Sequence, residues 1–261
     1  MENGSESTSR STNGPGLPGP LAMARGSRRE LQATSRKLQA PSRKLDKGPV
    51  PCYSVLQNKG ESMQVKEALK ITDSFTRTSK MPGLSYSLPA WECKTGWKLS
   101  QVEGTPCFFC YAKKGNYTRY PAIKEAQYRR LKAINHPLWV QAMATVIKRQ
   151  KFFRWHDAGD VQSPEHMQKI LEVCRLTPDT NHWLPTQERQ FLPAPEEVPA
   201  NLVIRLSRSK IDGPVPAAWS HDSGVTIGEA RTCPAPDQGG KCLDCRACWN
   251  KDIKNVSYGK H

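Results

Sequence analysis

Seven of the nine cysteines in this 261-residue chain fall into two tight groups, and this is what most restricts the fold. Cys93, Cys107 and Cys110 form the first, with thirteen residues between the first pair and two between the second. Cys233, Cys242, Cys245 and Cys248 form the second, a Cys-x8-Cys-x2-Cys-x2-Cys array with Pro234 and Gly239-Gly240 as turn formers. The chain is long enough to bury a core without cross-links. The cysteine count is odd, and residues 1–50 are polar and basic with no signal-like apolar stretch. A cytoplasmic, reducing location follows, with no membrane partner, and the cysteines are expected to hold metal rather than pair as disulfides.

The two groups differ in donor number. Three thiolates leave a four-iron four-sulfur (4Fe-4S) cluster with one iron open to a cofactor or substrate, whereas a closed zinc site takes four. The group of four can satisfy a metal fully, as an auxiliary 4Fe-4S cluster or as structural zinc. A different partition takes Cys107-x2-Cys110 and Cys242-x2-Cys245 as the knuckles of one zinc ribbon, making the protein a non-catalytic nucleic-acid-binding module. Cys174, on an apolar helical stripe, reads as core; Cys52 has no motif around it.

Net charge is +15, and residues 1–50 carry nine Lys/Arg against four Asp/Glu. A basic surface and tail favour nucleic acid with salt-sensitive affinity. Residues 1–48, rich in Ser, Gly, Pro and Arg, read as a disordered basic tail. From there the pattern is α/β: a strand at 84–88, a cysteine loop over 91–120, helices from Pro121 and just after His136, a strand at 152–156, and a helix capped by Ser163-Pro164. Further strands are expected at 182–186 and 202–207. The expected division is an α/β body over 49–228 and a Cys-rich metal-binding segment over 229–261.

In parallel α/β folds the chemistry gathers at the C-terminal ends of the strands. His156, Asp157, Asp160, Thr186, Gln187, Ser207 and Arg208 are therefore expected to rim one mouth, with Arg205 or Arg208 anchoring an anionic group. Trp91, Trp97, Tyr111, Tyr117 and Tyr120 crowd the cysteine loop, where they are expected to shield a cluster; stacking on nucleobases needs them exposed.

The run Cys107-Phe108-Phe109-Cys110-Tyr111-Ala112 resembles the end of the cluster motif of radical S-adenosylmethionine (SAM) enzymes, although thirteen residues rather than three precede Cys107. Residues 80–261, including Ser207-Arg208-Ser209 and the Cys-rich end, are similar to the phage-borne gene product 88 family. The radical SAM resemblance implies a partial (β/α) barrel, a site-open cluster on Cys93, Cys107 and Cys110, and a reductant protein as electron donor. It also implies a Gly-Asp turn, here Gly159-Asp160, holding the SAM amino group. His156 and Ser207 complete the expected cofactor contacts, and the substrate is unnamed.

Overall fold

The computed structural model describes residues 63–217, 219–228 and 230–260; the tail expected at 1–48 and the expected start of the fold near Val50 lie outside them. A polypeptide alternating short apolar runs with amphipathic helices must bury one sheet face against those helices. Helix α1 (Val65–Thr72) is followed by β1 (Leu84–Tyr86), then α2 (Lys94–Leu99), α3 (Asn116–Arg119), α4 (Pro121–Ala133) and α5 (Trp139–Ile147). Next come β2 (Phe152–Trp155), α6 (Pro164–Leu176), β3 (Asn181–Thr186), β4 (Leu202–Ser207), β5 (Asp222–Thr226) and β6 (Asn255–Gly259).

All six strands are parallel, and their spatial order is the chain order, β1 to β6. No strand order reverses, so the sheet has no topological switch point, and one edge collects every strand's C-terminal end. The strands expected at 152–156, 182–186 and 202–207 are present within a residue at each end. Strand β1 stops two residues short of the expected Leu88, and β5 and β6 are additions to the expected set. Because β6 pairs with β5 over five residues, the Cys-rich stretch carries a strand of the same sheet.

Side-chain alternation gives the sheet two unlike faces. Tyr86, Phe153, Trp155, Leu184, Leu202 and Ile204 lie in one buried cluster with the apolar sides of α5 and α6. Helix α6 starts where Ser163 accepts a bond from the His166 N–H at 3.1 Å, and Pro164 fills the first helical position. Its Met167, Ile170, Leu171 and Cys174 are buried as the stripe requires, and Cys174 is core. Gly83 makes the β1–β2 pairing possible: with φ of +78°, a Cβ there would stand 2.0 Å from the Phe152 carbonyl oxygen.

The opposite face carries Arg154, Trp183 and Arg205, and the C-terminal segment covers it. Arg205 is fully buried, and its guanidinium donates to the carbonyl oxygens of Ala247, Cys248, Asn250, Ile253, Lys254 and Asp222 at 2.8–3.4 Å. Trp249 adds a bond from its indole N–H to the Phe153 carbonyl at 2.9 Å. This corrects the expectation that Arg205 anchors a ligand, because its donors are consumed by backbone. Arg208 is likewise paired, to Asp222 at 2.5 Å.

Arg205→Met leaves several buried carbonyls without donors, at roughly 1–3 kcal/mol for each one not rehydrated. Urea unfolding should register a loss of about 3 kcal/mol or more, and Arg205→Lys should recover only part of it. A variant as stable as the parent would show that the segment is held by other contacts.

Candidate metal centre

The first cysteine group reaches the sheet through hydrogen bonds to carboxylates. Glu188, two residues past β3 and fully buried, accepts from the Thr95 N–H and hydroxyl, each at 2.7 Å. Asp157, just past β2, accepts from Ser85 at 2.6 Å and from the Tyr117 hydroxyl at 2.8 Å, and the Tyr111 hydroxyl donates to the Asp157 carbonyl oxygen. The loop is thereby pinned over the C-terminal ends of β1, β2 and β3. Sequence reading missed Glu188; its position just past Thr186-Gln187 at a strand end was the available signal.

Within the loop, Cys93 precedes the first turn of α2, and Gly96 lies against the thiols: a Cβ there would be 3.6 Å from Cys107 Sγ and 3.7 Å from Cys93 Sγ. Burial pushes the Cys93 thiol up, and the charges of Asp160, Cys110, Cys107 and Glu188 add to it. Burial pushes Cys107 up to about 12, with Cys110 and Asp160 contributing and Lys113 opposing. The three expected thiols thus share one neighbourhood with two carboxylates. Such a group is costly as thiolates unless a cation joins it.

In the second group, burial raises the Cys242 thiol, with Cys233 and Cys245 adding to it. Cys248 rises to about 11 through burial, against a Tyr258 hydroxyl at 3.2 Å and the nearby Arg205 and Arg154, which lower it. Backbone bonds from Cys242 N–H to Lys80 (2.7 Å) and from Cys233 N–H to Ser257 (2.9 Å) fix the segment beneath the sheet face. Arg154 lies between the groups: its guanidinium stacks 4.5 Å from the Trp183 ring centre and donates to the Tyr111 hydroxyl at 3.3 Å. Its charge also acts on Cys242 and Cys248. Among the described residues, no set of three or more His, Cys, Asp or Glu side chains stands at metal-coordinating spacing, so each group is a gathering of thiols and not a closed ligand shell.

The expected cofactor contacts separate on inspection. Asp160 is buried, and burial raises its carboxyl to about 7. Its Oδ1 accepts from the Val161 N–H at 2.8 Å and the Thr186 hydroxyl at 2.6 Å, and its Oδ2 from the Gln187 N–H at 2.8 Å. It therefore ties the end of β2 to the end of β3, and Oδ2 retains capacity for one more donor. Gly159, at φ +81°, is required by packing, since a Cβ would fall 2.5 Å from Leu88 Cβ and 2.8 Å from the Leu88 carbonyl oxygen. Ser207 ends β4 in register with Ser223. His156 is buried at φ +54°, its Nδ1 bonded to the Tyr86 carbonyl at 3.1 Å and its ring 5.3 Å from that of His166. Its Nε2 is buried and has no partner.

Burial holds His156 at about 4, His182 at about 3, and His166 well below the usual value. A histidine neutral in the fold and charged when unfolded costs stability as pH falls below about 6.5, by up to about 1.4 kcal/mol per pH unit for each group. Urea midpoints should therefore drop steeply between pH 6.5 and about 4, and His182→Gln should reduce the slope by about a third. A pH-independent midpoint over that window would contradict neutral burial.

A model of the family described as Gene product 88 matches residues 55–251. No curated protein and no solved structure matches the chain. No helix among the described residues is long and apolar enough to cross a membrane.

Proposed function

The chain belongs to the phage gene product 88 family, and we propose that it is an iron–sulfur protein with radical-SAM-like chemistry at the Cys93, Cys107 and Cys110 group. One observation carries this reading: Cys93 and Cys107 meet around Gly96, with Cys110 one turn on, in a loop seated over the C-terminal ends of parallel strands near a buried carboxylate with spare acceptor capacity. A three-thiolate donor set suits a 4Fe-4S cluster with one open iron better than zinc, which takes a fourth ligand. The sequential parallel order of β1 to β6 supports a partial (β/α) barrel, since neighbours in a barrel follow chain order.

When bound and reduced, such a cluster supplies the electron that splits SAM into methionine and a 5′-deoxyadenosyl radical. The chain's own residues hold and shield. The thiolates of Cys93, Cys107 and Cys110 would be the ligands and Asp160 Oδ2 the acceptor for a SAM ammonium, while Glu188 and Asp157 keep the loop seated. His156 lies in the core against His166 and Trp155, so its contribution is to orient the strand end. The electron comes from a reductant protein. Cys233, Cys242, Cys245 and Cys248 would form the auxiliary centre, with the charges of buried Arg205 and half-buried Arg154 offsetting a cluster's negative charge.

Zinc in the group of four is the second reading, and four thiols in one segment favour it equally on donor count. Anaerobic purification should give a brown protein with iron and acid-labile sulfide. Cys107→Ala should lose about half the iron, and Cys245→Ala the other half. With dithionite and SAM, the parent should form 5′-deoxyadenosine and Cys107→Ala none. Colourless protein with zinc alone, or equal loss of all metal from either variant, would overturn the two-centre reading.

A further inference from the structure

Of the aromatic side chains expected to shield a cluster, Trp97 is 49 % exposed, Tyr111 46 % and Tyr120 50 %; Phe108, in the same loop, is 43 % exposed. A ring that shields a metal is buried against it; these stand half in water. Exposed rings on this scale mark a contact surface when they are neighbours.

They lie on one loop, and lysines stand against its rings. Lys113 Nζ lies 4.4 Å from the Trp97 ring centre, and Lys124 Nζ 4.9 Å from that of Trp91. The turn Ala90–Glu92, which carries Trp91, packs on the turn Tyr111–Lys113, so the two pairs belong to one surface. Tyr120 joins it one turn before Lys124, whose N–H bonds to the Tyr120 carbonyl at 3.4 Å. Phe108 stacks edge-on against Phe109 at 4.9 Å, and Lys260 Nζ stands 3.9 Å from the Phe109 ring centre at the far border. Residues 91–124 contain six Lys/Arg against two Glu.

We infer that this surface binds single-stranded nucleic acid, with unpaired bases stacked on Trp97, Phe108 and Tyr120 and phosphates held by the interleaved lysines. Alternating rings and ammonium groups are what a flexible strand needs, because every base offers a π-face and every linkage a negative charge. A duplex keeps its bases stacked inward and can use only the lysines. An acidic peptide has no bases to stack. The surface rims the cysteine group, so the strand passes directly over the proposed metal centre. The inference stands on ring exposure and charge and does not require that centre to be iron–sulfur.

The test is fluorescence anisotropy of the full-length, metal-loaded protein with a dye-labelled mixed-sequence oligodeoxynucleotide of about 15 nucleotides, near the upper end of such site sizes. Trp97→Ala and Tyr120→Ala should each weaken binding about 5-fold or more, the lower bound for one lost base stack. Lys113→Gln and Lys124→Gln should each flatten the logarithmic salt dependence by about 0.7, and a duplex of the same sequence should compete poorly. Metal content is measured on every variant, so that loss of strand binding with full metal separates this surface from the centre beneath it. Ring variants that bind as the parent does, or duplex competing as well as single strand, would overturn the inference and assign the binding to the basic tail or to charge alone.

Discussion

Carboxylates at the ends of β2 and β3 hold the cysteine loop in place, and the candidate site depends on them. Glu188 takes both donors of Thr95, Asp157 takes Ser85 and Tyr117, and Asp160 ties Val161 to Thr186 and Gln187. Hydrogen bonds to charged acceptors are worth more than neutral ones, about 1.5–3 kcal/mol, and these are buried, where an unmade bond is costly. With the small apolar cluster of Ala90, Ala112 and Ala158, they fix the loop over the strand ends. Burial first, and then the charge of Asp160 and Glu188, raises Cys93 and Cys107, which makes the group a poor resting place for bare thiolates.

The second constraint is Arg205. A fully buried guanidinium has to find acceptors, and here it finds six carbonyls, five of them in the segment that carries the second cysteine group. The sheet face without helices is covered in this way by irregular chain. Arg154, two strands away, touches the first loop through Tyr111 and acts on the second group through its charge. One cation thereby touches the first loop and lies beside the second group.

The strands β2, β3 and β4 and the helix α6 were legible because each is a run of strong formers with clear punctuation. Phe152-Phe153-Arg154-Trp155 alternates, Leu202-Val203-Ile204 is β-branched and apolar, and Ser163-Pro164 announces a helix start. Strands β5 and β6 were not legible: Asp222-Ser223-Gly224-Val225-Thr226 and Asn255-Val256-Ser257-Tyr258-Gly259 are polar and glycine-bearing, and pairing with neighbours, not propensity, makes them strands. Both cysteine groups were visible as spacing. Their anchors were not: Glu188 looks like an ordinary surface charge until the fold buries it, and Arg205 was expected to hold an anionic group rather than backbone. Gly159 was read as a cofactor contact where the close passage of Leu88 already requires a glycine.

We propose that two separate metal centres form on one parallel sheet, the first with three protein thiolates. Anomalous diffraction at the iron edge from anaerobically grown crystals tests it directly. The account predicts two resolved iron positions, one within bonding distance of Cys93, Cys107 and Cys110 alone and one ringed by Cys233, Cys242, Cys245 and Cys248. A single position sharing thiolates from both groups, or a signal at the zinc edge only, would contradict it.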